Sequence, residues 1–279
     1  MFKFVKPVLA AALFAFAGLP AYAADMVEQP PVAEAPPPVA FGGWYIRGDI
    51  DYHWTDFRGA DYITYGVTCC GAPLPGTNSF TTGDLDGSAS LGLGVGYQIN
   101  DYLRTDLTAD YWFDQDFEGS TSGDCAGVPC TSHDTTSMST WLLLANAYAD
   151  LGTYYGFTPY VGAGIGGAHV KWDELHNTIS GVTTVHPGDE DWRFAWALMA
   201  GTSYCLTDNL KLDVGYRYSH INGGRMFELA PAGPGGAGPG FDDGFNTHEV
   251  RGGLRYDFGN STCAPAPAPY EPPAPAVYK

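Results

Sequence analysis

Ionisable residues in this chain recur at two-residue spacing, and acids and bases share one parity. Arg47, Asp49 and Asp51 form one such set. Arg104, Asp106 and Asp110 form a second, and Lys211, Asp213 and Arg217 a third. Glu249, Arg251, Arg255 and Asp257 form a fourth, while Asp150 and Arg193 occupy the same side of their own segments. Residues two apart on an extended strand point the same way. One surface therefore mixes carboxylates with cations in nearly equal number, although the whole chain carries a formal charge of -18. Charge can leave water when it is paired. The chemistry this pattern supports is a network of ion pairs lining an enclosed interior.

Other reactive residue types do not assemble into a catalytic pattern. Ser219 and His220 are adjacent, and neighbours on a strand face opposite sides. That separates the two groups a hydrolase needs on one surface. His53, His169, His220 and His248 fall near outer strand ends and read as interfacial residues of an aromatic belt. Asp189-Glu190-Asp191 has the oxygen ligands that suit Ca²⁺ or Mg²⁺, but it lacks EF-hand spacing and reads as a solvated charge run. The glycines at 92–96 and 162–167 have no helix behind them to hold phosphate, and read as small residues on an inner strand face. No cofactor and no metal is expected. Six cysteines accompany the chain. Cys125 and Cys130 flank a short loop, and Cys205 and Cys263 lie near strand ends on one side, so these are the two expected disulfides. Cys69-Cys70 is adjacent in another loop, and a cross-pairing among the first four stays open.

Eight strand-like segments must position these groups, roughly 43–57, 86–99, 102–114, 138–151, 157–170, 192–206, 209–220 and 247–258. Each alternates. Leu91, Leu93, Val95 and Tyr97 oppose Gly92, Gly94 and Gly96. Leu103, Leu107 and Tyr111 oppose Arg104, Asp106 and Asp110. An apolar face backed by a charged one is a strand between lipid and a packed lumen. Connections alternate too: 58–85, 115–137, 171–191 and 221–246 are long, while Asn100-Asp101, 152–156 and Thr207-Asp208 are short. Long external loops and short periplasmic turns are the habit of outer-membrane barrels. Trp44, Trp54, Trp112, Trp141, Trp192 and Trp196 fall near strand ends and read as interfacial girdles. The external segments are rich in acids, Asp134 and Asp242 among them. Acidity without a basic patch excludes nucleic acid as a partner.

The last strand ends Arg251-Gly252-Gly253-Leu254-Arg255-Tyr256-Asp257-Phe258. With Arg251, Gly253, Tyr256 and Phe258, it resembles the terminal signal read by the barrel assembly machinery. Gly43-Trp44-Tyr45, Thr158-Pro159-Tyr160-Val161-Gly162 and Asp213-Val214-Gly215-Tyr216-Arg217-Tyr218 extend the resemblance over about 43–258. The chain is similar to the eight-stranded outer-membrane barrels of the OmpA transmembrane/opacity-protein superfamily, in particular their porin-like surface antigens. The fold expected is all-β, an eight-stranded antiparallel transmembrane β-barrel. Residues 1–23 read as a signal peptide, with Lys3 and Lys6 before an apolar run and Ala21-Tyr22-Ala23 at the cleavage site. Residues 24–42 read as a Pro-rich periplasmic linker, 43–258 as the barrel and 259–279 as a Pro-rich periplasmic tail. The resemblance implies residence in the outer membrane, reached through the periplasm. It implies partners in outer-membrane lipid and the assembly machinery, and contacts with host, cell-surface or peptidoglycan material. The expected function is that of a non-enzymatic structural and surface-interaction barrel with acidic loops and a largely closed lumen. A narrow cation-preferring porin is the alternative, and a lipid-modifying hydrolase ranks below it.

Overall fold

The computed structural model describes residues 42–67, 73–125, 127–230, 237–258 and 263. The leader, the two Pro-rich segments apart from Gly42 and Cys263, the Cys69-Cys70 pair and the middle of the Gly-Pro-rich stretch lie outside the described residues.

Eight long strands make the fold: β1 (Gly43–Phe57), β2 (Thr82–Asn100), β3 (Leu103–Ser120), β4 (His133–Asp150), β5 (Phe157–Trp172), β6 (Glu190–Cys205), β7 (Leu210–Phe227) and β8 (Ala237–Asp257). Each pairs antiparallel with the next, and β8 closes on β1 from Tyr45↔Asp257 to Phe57↔Phe245. Closure leaves no sheet edge within the ring, which is the condition for a sheet to stand in lipid. The eight sequence segments appear in the expected order, with short turns at one end.

The alternation has a physical partition behind it. Leu93 is 72% exposed and Ile50 68%, whereas Arg104, Asp110 and Arg217 have no exposed surface. Apolar side chains thus point outward and charges inward, the reverse of a water-soluble sandwich. Trp44, Tyr102, Phe157, Tyr204, Tyr256 and Phe258 ring the short-turn end. Tyr52, Trp54, Tyr111, Trp141 and Trp192 ring the other.

At the long-loop end the strands run past their expected limits. β2 begins at Thr82, β3 continues to Ser120, β4 begins at His133, β7 reaches Phe227 and β8 begins at Ala237. The reason lies inside. Here the interior is apolar, so the apolar-out, polar-in signal that marks the membrane segments disappears. The connections also hold three hairpins. Ala60–Val67 pairs with Pro73–Ser79 and adds to β8; Ser122–Asp124 pairs with Pro129–Thr131; Leu175–Ile179 pairs with Val182–His186 and adds to β4.

Candidate functional site

The inner surface falls into three storeys. The lower one, between the girdles, is the charged lumen. Arg47 on β1 holds Asp49 at 2.8 Å and Asp106 on β3 at 3.3 Å. Arg251 on β8 meets Asp49 at 3.2 Å, Asp51 at 3.3 Å and Asp110 at 3.2 Å. Arg217 on β7 meets Asp110 at 2.8 Å and Glu249 at 2.5 Å. Nearer the short turns, Arg104 pairs with Asp150 at 3.0 Å and lies over the rings of Tyr148 and Tyr160. Lys211 reaches Asp257 at 2.9 Å, and Arg255 stands 3.8 Å from both Asp213 and Asp257. The structure thus places fourteen of the fifteen residues expected in the network within this layer. Arg193 lies higher, held bidentately by Asp242 at 2.7 and 2.8 Å and by Asp191 at 2.7 Å.

Glycine makes room for these charges. A methyl group on Gly92 would run into the Asp110 carboxylate, and one on Gly253 into that of Asp49. Gly253 stands opposite Asp49 where β8 closes on β1, and Asp51 stands opposite Arg251. The terminal segment that resembles an assembly signal therefore also forms the closing seam: Arg251 points into the lumen, Gly253 admits Asp49, and Tyr256 and Phe258 face outward with ring centroids 5.2 Å apart.

The middle storey is an aromatic and aliphatic plug. Trp112, Phe117, Met138, Trp172, Ile221, Met226, Phe227 and Phe245 are buried together, and Phe57 and Phe80 pack on them. Trp172 Nε1 donates to Asp242 Oδ2 at 3.3 Å, which binds the Arg193–Asp242 pair to the plug. Three expectations need correction here. Trp112 is no girdle residue: it continues the inward parity of Arg104, Asp106 and Asp110, and the bulge that follows, with Phe113 and Asp114 outside, brings Gln115 inward as well. His53 is not interfacial but fully buried, its ring 4.6 Å from that of Trp112. Asp134 and Asp242 are not solvated loop acids but buried, partnered groups. The plug had a sequence signal. Leu142-Leu143-Leu144-Ala145 and Phe194-Ala195-Trp196-Ala197-Leu198 do not alternate, as expected of strands with two apolar faces.

The top storey is a cup of about 300 Å³ above the plug, walled by the three external hairpins. Phe80, Leu175 and Phe227 line its depth. Asp134 accepts from Ser132 Oγ and Asn177 Nδ2, each at 2.5 Å. Ser132 also meets Thr121 Oγ1 at 2.9 Å, and the Cys125–Cys130 disulfide closes one wall. Burial pushes the Asp134 carboxyl above its ordinary range, against the two hydrogen bonds. Burial holds the His186 imidazole below its ordinary value, against the Glu228 carbonyl and Asp134. At the other end Cys205 is bonded to Cys263.

Remaining reactive groups are dispersed. Ser219 Oγ donates to Glu249 Oε1 at 3.0 Å inside the barrel, while His220 Nδ1 meets Asn246 Oδ1 at 2.7 Å on the other face. Among the described residues no group of three or more His, Cys, Asp or Glu is arranged to hold a metal ion.

Eight closed strands, an apolar outer band and aromatic girdles define a transmembrane β-barrel of the outer-membrane type. The outer membrane protein beta-barrel domain family matches residues 9–258, and the chain belongs to that family. It is a protein of the cell outer membrane. An uncharacterised protein of Brucella abortus strain 2308 is 42% identical over 268 residues, covering 85% of this chain and 93% of the relative. Outer membrane protein PagN of Salmonella typhimurium is 30% identical over 142 residues, 48% of this chain and 57% of PagN. A candidate adhesin of Rickettsia massiliae is 29% identical over 168 residues, 59% of this chain and 72% of its own length. Among solved structures, OprG of Pseudomonas aeruginosa aligns at a TM-score of 0.46 and 16% identity over 78% of this chain and 97% of OprG. Neisserial surface protein A aligns at 0.44 and 18% over 77% and 97%.

Proposed function

We propose that this protein is a non-conducting anchor that holds a rigid, acidic contact surface outside the cell. The observation that carries the reading is the filling of the lumen along its length. Charged side chains span the lower storey through ion pairs, and the aromatic plug seals the storey above. An eight-stranded ring leaves space for side chains and little else, and here large side chains occupy it. Moving an ion through would require breaking buried pairs such as Arg217–Asp110 and displacing Trp172 and Phe117, which works against the cation-pore alternative. The separation of Ser219 from His220 works against a hydrolase built on that pair. Three hairpins continuing from the barrel wall give the external surface a fixed shape, as a contact surface requires. The similarity to PagN and to a candidate adhesin accords with a role at the cell surface. Planar-bilayer recording on the purified, folded protein tests the first half: no steady unitary conductance is expected, and reproducible unitary steps would reject it. Deleting the Leu175–His186 hairpin and measuring attachment of expressing cells to a host-cell layer tests the second, with reduced attachment expected.

A further inference from the structure

We propose that the external cup is a binding site for a small uncharged or amine-bearing sugar. The inference rests on the contact-surface reading and gives that surface a ligand. The cup's volume of about 300 Å³ stands at the lower end of small-molecule sites. It suits one or two sugar rings and is too confined for an extended peptide. Its lining is amphiphilic in the way a sugar is. The half-buried Phe80 and Tyr62 offer ring surface to C–H faces, while the half-buried Thr64 and Asn177 offer donors and acceptors to hydroxyl edges.

The polar side is preorganised. Asp134 is fixed between Ser132 and Asn177, Ser132 is tied to Thr121, and Gly127 N donates to Asp124 Oδ1 at 2.6 Å. Groups already locked in place lose little entropy when a ligand arrives. Charge decides the ligand class. The described lining residues include Asp124 and Asp134 but no lysine or arginine. A sulfated or sialylated sugar would meet the exposed Asp124 carboxylate with no lysine or arginine to offset it, and the lining His186 is buried and held in its neutral form, whereas an amine would meet Asp124 favourably.

The test uses the full chain folded in lipid nanodiscs, applied to an array of neutral hexoses, N-acetylhexosamines, amino sugars, sialylated sugars and sulfated sugars. Binding to the neutral or amino classes is expected. Tyr62→Ala should weaken it by about tenfold, the equivalent of one aromatic contact, and Thr64→Val should weaken it with little change in side-chain volume. Heat-modifiable gel migration establishes that each variant remains folded. A parallel arm with vesicles containing lipopolysaccharide tells whether the sugar comes from another cell or from the same membrane; either source sustains the inference. Failure of the folded protein to bind any class overturns it. So does binding confined to sialylated or sulfated sugars, or neutral-sugar binding untouched by both substitutions. If cell attachment persists while sugar binding is absent, the sugar site is rejected and the contact-surface reading stands.

Discussion

Arg217 on β7 reaches across the barrel to Asp110 on β3, Nη1 to Oδ2 at 2.8 Å, although the two strands sit on opposite sides of the eight-membered ring. The same guanidinium grips Glu249 on the adjacent β8 through Nε at 2.8 Å and Nη2 at 2.5 Å. One cation therefore ties opposite walls together and neutralises two buried acids. Its loss strands Glu249 with only Ser219 and leaves Asp110 to Arg251 alone.

Arg217→Ala is expected to lower the unfolding free energy, measured by urea titration in lipid vesicles, by about 3–5 kcal/mol, the usual cost of leaving a buried charge without its partner. Arg225→Ala is the control. Its bond to Glu228 lies on the surface, and exposed pairs contribute about 1 kcal/mol or less. Equal losses from the two substitutions would contradict the buried network.

The inward glycines should behave unlike the outward one. Gly92→Ala places a methyl group against the carboxylate of Asp110, which Arg217 and Arg251 already hold in position. Overpacking of this kind destabilises by about 1–3 kcal/mol. At Gly48 an added methyl meets Leu93 at an ordinary 3.7 Å. Gly48→Ala should be neutral or stabilise slightly through the unfolded chain. The same vesicle titration checks both, and a harmless Gly92→Ala would mean that the Asp110 side chain is free to move aside.

The sequence was legible where two solvents met across one strand. Leu93 against Gly92, or Leu107 against Asp106, reports the lipid and lumen sides by parity alone. That legibility stopped at the plug, where Leu142 and Leu143 face opposite ways yet both meet apolar surroundings, so parity carries no contrast. Trp112 shares the inward parity of Asp110, but its place near the expected strand end made it resemble the girdle tryptophans; the bulge at Phe113 and Asp114, which carries the inner face on to Gln115, leaves no local mark. Asp134 and Asp242 read as solvated because the groups that satisfy them, Asn177 and Arg193, are distant in sequence and join them only when the barrel closes. The cup was invisible for the same reason, since three separate connections build it.

The inside-outside assignment of the tryptophans can be measured directly. In single-tryptophan variants reconstituted into vesicles with brominated acyl chains, Trp141 and Trp192 should be quenched, since they are 49% and 60% exposed on the outer face. Trp112 and Trp172, at 0% and 2%, should be shielded, with blue-shifted emission from the dry plug. Quenching of Trp112 comparable to Trp141 would return it to the girdle and remove the seal.

Acidification should loosen the cup through His186 and tighten it through Asp134. His186 is held below its ordinary value of 6.5. The unfolded hairpin therefore takes a proton that the folded one refuses, and the stability present above 6.5 is lost as pH falls through it. Asp134 is raised above its ordinary 3.8. The folded form keeps its proton to higher pH than the unfolded one, so this contribution is present at low pH and lost as pH rises through the raised value. Hydrogen exchange along Leu175–His186, corrected for intrinsic rate, separates the two. With Asp134→Asn, protection should fall as pH drops through 6.5. With His186→Gln, that fall should vanish, and protection should grow toward the ordinary carboxylate range. The same pH dependence in both variants would show that neither group governs the hairpin.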